Sequence, residues 1–207
     1  MRMFKRNFEG VVPKGMLDSL ILDYNSREEY DTDSMKKASP QQSGKIMEPL
    51  IQNYIGKEWK LKSGNFYKHE KPYLPHTDFR KEYVESVNVV IPLQYDGTQP
   101  RFIVFDQWYP EDSVTWCLDV PVIDFSINTG VAGRPCDWPG VKGLTGKPID
   151  DLFYKLYLWR SKEQWNGLSG SAYKFQPGNM IIHNNQLIHC TSKFNGSKLG
   201  LTLRFTK

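Results

Sequence analysis

The chain has 207 residues, of which 39% are hydrophobic, 14% aromatic and 24% charged. This length fits one domain, and the composition provides a folded core, which excludes disordered, collagen-like and coiled-coil chains. The 27 basic and 23 acidic residues give a formal net charge of +4 without a dense Lys/Arg run, which argues against nucleic acid as a partner.

Features of membrane-bound, exported or disulfide-linked proteins are missing from the sequence. No stretch approaches the ~20 apolar residues that span a bilayer, and the basic residues 1–8 lack the apolar part of a secretory signal. Cys117, Cys136 and Cys190 are odd in number and far apart, which argues against a disulfide framework and a Cys-x-x-Cys site. We therefore expect a cytoplasmic protein with reduced thiols and no membrane partner.

The first 60 residues have the pattern of helices and loops. Apolar residues from Met16 to Tyr24 recur at helical spacing and predict a first helix. A second helix is predicted over residues 47–55, with Pro49 in its first turn and Gly56 at its end. The polar residues 26–44 between them predict a loop.

From about residue 60 onward the pattern changes to short β-like runs between turn-forming residues. The strands that this pattern predicts cover residues 59–62, 65–68, 84–93, 101–105, 180–183 and 199–205. A helix is predicted after Ile149, within an insertion at about residues 106–170. We expect a single domain, 1–207, that is mainly β with flanking helices: residues 1–60 form a helical support, and residues 61–207 form a sandwich or barrel.

Only four histidines are available for metal chemistry: His69, His76, His183 and His189. His76 and Asp78 are two residues apart, so in an extended segment both side chains emerge on one face, as two ligands of one metal require. A turn and an apolar strand at residues 176–188 lead to His189, which predicts a third ligand. His183 is the alternative third ligand or a wall of the pocket, and we expect His69 at the surface or behind the ligands.

The last predicted strand alternates strictly between apolar and polar side chains. Its apolar face carries Leu199, Leu201, Leu203 and Phe205, and its polar face carries Lys198, Gly200, Thr202 and Arg204. In a small barrel with a polar interior, this polar face would offer a cation to a bound carboxylate.

With His-x-Asp, a distal histidine and a basic residue on the last strand, the chain resembles the iron(II)- and 2-oxoglutarate-dependent dioxygenases over roughly residues 64–207. Residues 177–189 look most like the phytanoyl-CoA hydroxylase branch, and a prolyl hydroxylase-like branch is the alternative. The resemblance implies a double-stranded β-helix, a jelly-roll or cupin-like barrel. It also implies that His76, Asp78 and His189 bind iron(II) and that Arg204 binds the distal carboxylate of 2-oxoglutarate.

The same resemblance implies an enzyme that decarboxylates 2-oxoglutarate to succinate with dioxygen and hydroxylates a C–H bond of a small molecule or an amino-acid side chain. Asn88 and Thr202 would hydrogen-bond the cosubstrate from inside the barrel. Arg204 lies 15 residues after His189, a spacing similar to the taurine dioxygenase and clavaminate synthase branch. Lys198, nine residues after His189 on the same face, competes with it, although we favour Arg204.

Other features leave the branch and the substrate open. The paired glycines that often follow the strand after His-x-Asp are replaced by residues 95–100. Aromatic residues are abundant in the insertion, where some are expected to wall the substrate pocket, with Arg134 and Arg160 as anchors for an anionic substrate; the aromatic residues are Trp108, Tyr109, Trp116, Trp138, Tyr154, Tyr157, Trp159 and Trp165. Two other functions compete: a cupin-like binding protein without catalysis, and an isomerase or hydrolase that uses the same triad with zinc or manganese.

Overall fold

Strands dominate the computed structural model, which describes residues 3–27, 30–32, 35–37, 41–82, 85–111, 114–117, 129–132, 135, 138 and 140–207. The helices in this part of the chain are α1 (Lys14–Asn25), α2 (Gln41–Ile55), α3 (Asp151–Tyr157) and a short 3-10 helix (Lys162–Trp165). The strands are β1 (Lys5–Phe8), β2 (Tyr30–Thr32), β3 (Met35–Lys37), β4 (Lys60–His69), β5 (Ser86–Tyr95), β6 (Arg101–Trp108), β7 (Val114–Cys117), β8 (Thr129–Ala132), β9 (Gly170–Lys174), β10 (Met180–Asn184), β11 (Leu187–Thr191) and β12 (Lys198–Thr206). None of these helices is long and apolar enough to cross a membrane.

Two antiparallel sheets form the barrel. The larger sheet has the strand order β1-β10-β5-β12-β4, and the smaller one has the order β11-β6-β9. Apolar side chains from both sheets meet between them, among them Val90 and Ile181 from the larger sheet and Phe102 and Val104 from the smaller. Two small pairs, antiparallel β2-β3 and parallel β7-β8, complete the described strands.

The outer face of the larger sheet is covered by α1 and α2. Leu20 of α1 and Ile51 of α2 pack in one core cluster with the apolar faces of β5 and β12, including Val89 and Leu203. The two faces predicted for β12 are therefore confirmed: its apolar side chains face the helices, and its polar side chains point into the barrel. The outer face of the smaller sheet packs against the insertion, where Trp165 and Leu158 meet Ile103 and Phe105.

Several predicted elements have different bounds in the structure. The second helix begins at Gln41 and not at residue 47, so Pro49 lies in its interior and the carbonyl of Lys45 lacks its helical donor on an exposed part of the helix. The strands predicted at 59–62 and 65–68 are one strand, β4. The loop predicted at 26–44 contains β2, β3 and the start of α2.

The first 60 residues also contribute a strand to the barrel, which the helical pattern did not predict. β1 pairs with β10 at the edge of the larger sheet, with Lys5 opposite His183. Its four residues lack an alternating pattern, and their partner lies about 175 residues further along the chain, so no local signal predicts the pairing. The division of the chain at residue 60 stays a prediction.

Candidate metal centre and its cavity

The segment that carries His76 and Asp78 is fixed by backbone hydrogen bonds to the β10–β11 hairpin. The amides of His76 and His189 donate to each other's carbonyl oxygens, both at 3.0 Å, and the Asp78 amide donates to the carbonyl of Asn185 at 3.0 Å. The three side chains therefore converge although the two histidines are 113 positions apart in the chain.

The ligand atoms of His76, Asp78 and His189 all lie within 4.8 Å of one another. Nε2 of His76 is 3.8 Å from Oδ1 of Asp78, and Nε2 of His189 is 3.3 Å from Oδ2. Ligands in adjacent positions at ~2.1 Å from one ion are about 3 Å apart, so small adjustments would place all three atoms on one cation.

The outer nitrogen of each ligand histidine is already engaged. Nδ1 of His76 lies 2.8 Å from the carbonyl oxygen of Leu74, and Nδ1 of His189 lies 2.9 Å from that of Leu187. A proton on Nδ1 satisfies each carbonyl and leaves the Nε2 lone pair directed at the centre.

Burial keeps the site in the protonation state that a metal needs. It lowers the pKa of His76 to about 3, helped by the neighbouring His189, so the imidazole is neutral near pH 7. Burial alone would raise the pKa of Asp78, but the neighbouring His189, His76 and Arg204 outweigh it and hold that pKa well below its usual value. Two imidazoles and one carboxylate match the facial triad of non-haem iron(II) sites, which leaves three positions open.

The structure brings every residue predicted to bind the metal or the cosubstrate to one cavity of about 430 Å³. His76, Asp78, His189, Asn88, Lys198, Thr202 and Arg204 all line it, and so do the two other histidines. Asn88 donates from Nδ2 to Oδ2 of Asp78, so its amide holds the carboxylate.

Lys198 is buried at one end of this cavity, with 2% of its surface exposed. Its Nζ donates to Oγ1 of Thr191 at 3.0 Å and lies near the rings of Tyr67 and Phe175. No carboxylate forms an ion pair with it among the described residues, and burial lowers its pKa to about 7.

Arg204 lies near the metal ligands. Its Nη2 donates to the backbone carbonyl of Asp78 at 2.9 Å, and its residue is opposite Asn88 in the register of β12 and β5. Thr202 lies between Arg204 and Lys198 on the same face of β12.

The remaining histidines are walls of the cavity. His183 is fully buried, its ring centroid is 4.4 Å from that of His189, and it is not one of the three clustered ligands. His69 is 5% exposed, so the surface location expected as one alternative is wrong. Tyr73, which the sequence analysis missed, contacts the rings of both His69 and His76; its position three residues before His76 was the available signal.

The aromatic residues of the insertion, which were expected to wall the substrate pocket, do not line this cavity where their side chains are described. Of the eight aromatic residues, those whose side chains are described lie outside the cavity lining, and most pack behind the smaller sheet. Arg160 is exposed and also lies outside it. Arg134 and the side chain of Trp116 fall outside the described residues.

No protein-family model matches the sequence, and no curated protein matches it significantly. Solved structures do match. The alpha ketoglutarate dependent epimerase SnoN from nogalamycin biosynthesis is 12% identical with a TM-score of 0.57, over 100% of this chain and 79% of that one. HygX from Streptomyces hygroscopicus, solved with nickel, 2-oxoglutarate and hygromycin B, is 10% identical with a TM-score of 0.56, over 99% and 83%.

A Pseudomonas putida prolyl-4-hydroxylase is similar at 12% identity and a TM-score of 0.51, over 98% of this chain and 92% of that one. The chain has the fold of these non-haem oxygenases. The double-stranded β-helix expected from the resemblance is thereby confirmed. None of these three proteins is more than 12% identical to the chain, so the likeness concerns the fold and not the chemistry of the site.

Proposed function

We propose that the protein is an iron(II)- and 2-oxoglutarate-dependent oxygenase that hydroxylates a C–H bond of a small molecule or an amino-acid side chain. One observation carries this proposal: the convergent His76, Asp78 and His189 share a cavity with the buried cation Lys198, which forms no ion pair with a carboxylate in the described part of the chain. The triad fits iron(II), and the cation fits a dicarboxylic cosubstrate that also reaches the metal.

Lys198 is our candidate for the distal carboxylate of 2-oxoglutarate, in place of Arg204, which the sequence analysis favoured. A buried ammonium that no carboxylate of the described residues pairs with is costly, so an anion beside it would be strongly stabilised. Thr191 supplies a hydroxyl next to the ammonium, and Thr202 lies on the path toward the metal. Asn88 is proposed to hold Asp78 and not the cosubstrate.

Bound iron and 2-oxoglutarate would supply the oxidising power, by coupling decarboxylation of the cosubstrate to oxidation of a C–H bond with dioxygen. The protein's own residues hold and orient this pair. The Nδ1 contacts of His76 and His189 fix the tautomers, Asn88 fixes the carboxylate, and apolar walls such as Phe102 and Val90 restrict water.

The neighbours of known structure include an epimerase and a prolyl-4-hydroxylase, so this fold serves more than one reaction outcome. We propose hydroxylation because it needs only the triad, the cosubstrate and a C–H bond near the metal. The buried Lys198 beside the triad favours a dicarboxylic cosubstrate over the zinc or manganese isomerase or hydrolase, and the three converging ligand atoms favour a metal enzyme over a binding protein without catalysis. The cytoplasmic location stays a prediction from the sequence.

The test is anaerobic addition of iron(II) and 2-oxoglutarate, which should produce the visible charge-transfer band of the chelate, followed by succinate release in air. His76→Ala and His189→Ala should both abolish the band. His183→Ala is the matched control, because His183 touches the site without belonging to the triad, and it should keep the band. No band and no succinate from the wild type would contradict the proposal; loss of the band only in His183→Ala would contradict the ligand assignment.

A further inference from the structure

The floor of the cavity is closed at one end and open at the other. It is formed by β4 and β12, which pair so that Lys198 is opposite His69 and Arg204 is opposite Ser63. Lys198 and His69 are buried, whereas Arg204 is half-buried and Ser63 is exposed. A molecule entering the cavity therefore meets Arg204 before it reaches Lys198.

The two cations of β12, Lys198 and Arg204, lie at different positions along this floor. They are six residues apart, which is roughly 20 Å at the backbone at about 3.3 Å per residue. The carbon chain of 2-oxoglutarate spans only about 5 Å. A cosubstrate that reaches from the metal toward Lys198 points away from Arg204, whose guanidinium is beside Asp78 on the open side.

The open end of the cavity carries an excess of positive charge. The described residues that line the whole cavity include four cationic side chains, Lys62, Arg80, Lys198 and Arg204, and one carboxylate, Asp78. With Asp78 on the metal and Lys198 on the cosubstrate, Arg204 and Arg80 remain to face a second anion. Arg80 forms an ion pair with Glu82, in which Nη1 lies 3.7 Å from Oε1 and both side chains are exposed to solvent. Such a pair is weak, so it reduces the positive charge at the open end only slightly.

We infer that the primary substrate carries a carboxylate or phosphate group, which Arg204 binds at the open end of the cavity together with Arg80. The hydrogen bond from Nη2 to the carbonyl of Asp78 fixes the guanidinium, and its other N–H groups are then available to an oxyanion. Because that carbonyl belongs to a metal ligand, the anion would be held close to the metal. The inference rests on the proposed function and adds a substrate class to it.

The first experiment uses matched pairs of compounds: carboxylic acids and their carboxamides, and sugar phosphates and the free sugars. Each is added to the iron-loaded protein with 2-oxoglutarate, and succinate release is measured. We expect only the charged member of a pair to stimulate succinate release. Comparison of the acid pairs with the phosphate pairs shows whether the substrate carries a carboxylate or a phosphate. Equal stimulation by the neutral members would overturn the inference.

For a stimulating compound, Arg204→Gln should raise its KM about tenfold or more at saturating iron(II) and 2-oxoglutarate, because the contact to its anionic group is lost. Arg80→Gln should also raise the KM, by a smaller factor. This substitution should not destabilise the fold, because the Arg80 side chain is 40% exposed. Lys174→Gln, an equal charge change on the exposed end of β9, should have no effect. If Arg204→Gln raises the Kd for 2-oxoglutarate and leaves the substrate KM unchanged, Arg204 binds the cosubstrate and the inference is wrong.

A second experiment measures anion binding without turnover, so it tests the anion site at Arg204 independently of the proposed oxygenase activity. Phosphate and benzoate are titrated by calorimetry into Lys198→Gln, which removes the cation at the closed end, and into the Lys198→Gln/Arg204→Gln double variant. Binding that is at least about tenfold weaker in the double variant supports the anion site, even if no chelate band forms. Equal binding to both variants, or to neither, overturns it.

Discussion

Asn88 donates a hydrogen bond from Nδ2 to Oδ2 of Asp78, the carboxylate oxygen that also lies 3.3 Å from Nε2 of His189. The amide thus fixes the orientation of the carboxylate, while Oδ1 faces His76. Asn88 occupies β5 opposite Arg204 on β12 and His183 on β10, so adjacent strands present one polar row beneath the candidate metal centre.

Replacement of Asn88 by Ala should lower metal affinity about 10- to 100-fold, because the carboxylate loses the partner that orients it. The measurement is an iron(II) or cobalt(II) titration of the purified protein. Asn65→Ala is the matched control, since Asn65 lines the same cavity opposite Thr202 and is not one of the three ligand residues. Equal losses in both variants would show that Asn88 has no special role.

The buried Lys198 predicts that stability increases with pH just above neutrality. Burial lowers its pKa to about 7, below the value of 10.5 expected in the unfolded chain, so the unfolded state binds more protons between these values and stability rises with pH. The test is urea unfolding between pH 7 and 8, where the Cys190 thiol of the unfolded chain, whose ionisation acts in the opposite sense, is still mostly protonated. Lys198→Met should flatten this rise, and an unchanged slope would contradict the assignment.

The same lysine predicts the pH dependence of cosubstrate binding. The distal carboxylate requires the charged ammonium, so the affinity for 2-oxoglutarate should fall as the pH rises above about 7, by up to about tenfold per pH unit. The measurement is the chelate-band titration at several pH values. In Lys198→Arg the charge persists, so the affinity should be almost independent of pH over this range.

The buried histidines predict a steep loss of stability in acid when no metal is bound. Burial lowers the pKa of His69 to about 2 and that of both His76 and His183 to about 3. The unfolded chain takes up these protons near pH 6.5, so the stability they contribute is complete above pH 6.5 and is lost as the pH falls toward 3. Urea unfolding at pH 7, 6, 5 and 4 measures the slope. His183→Gln should reduce that slope by the equivalent of up to about one bound proton. A stability that does not change with pH in the wild type would contradict the burial of these groups.

Gly200 leaves room for Tyr67 between Lys198 and Thr202. A Cβ at Gly200 would lie 2.5 Å from the Tyr67 hydroxyl oxygen and 3.1 Å from Cζ of Phe175. Gly200→Ala should therefore destabilise the protein by about 1–3 kcal/mol and weaken 2-oxoglutarate binding, because Tyr67 must move in the cavity. Gly15→Ala, with no atom within 4 Å of the added Cβ, is the control for both measurements and should be close to neutral.

The sequence predicted those parts of the structure that depend on spacing within one segment. The period of two in residues 198–206 placed Leu203 toward the core and Arg204 and Lys198 toward the cavity, because successive side chains of a strand alternate between its faces. The separation of His76 and Asp78 likewise predicted two ligands on one side.

Tertiary structure decided what depends on distance between segments. The pairing of β1 with β10, the burial of His69 and the separation of Lys198 from Arg204 along the cavity arise from strands that meet from remote parts of the chain. A local pattern shows which face a side chain takes, but the closed and open ends of a cavity depend on every strand that surrounds it. For this reason the sequence predicted a cation for the cosubstrate, and the fold was needed to favour Lys198 for that role and to leave Arg204 at the mouth.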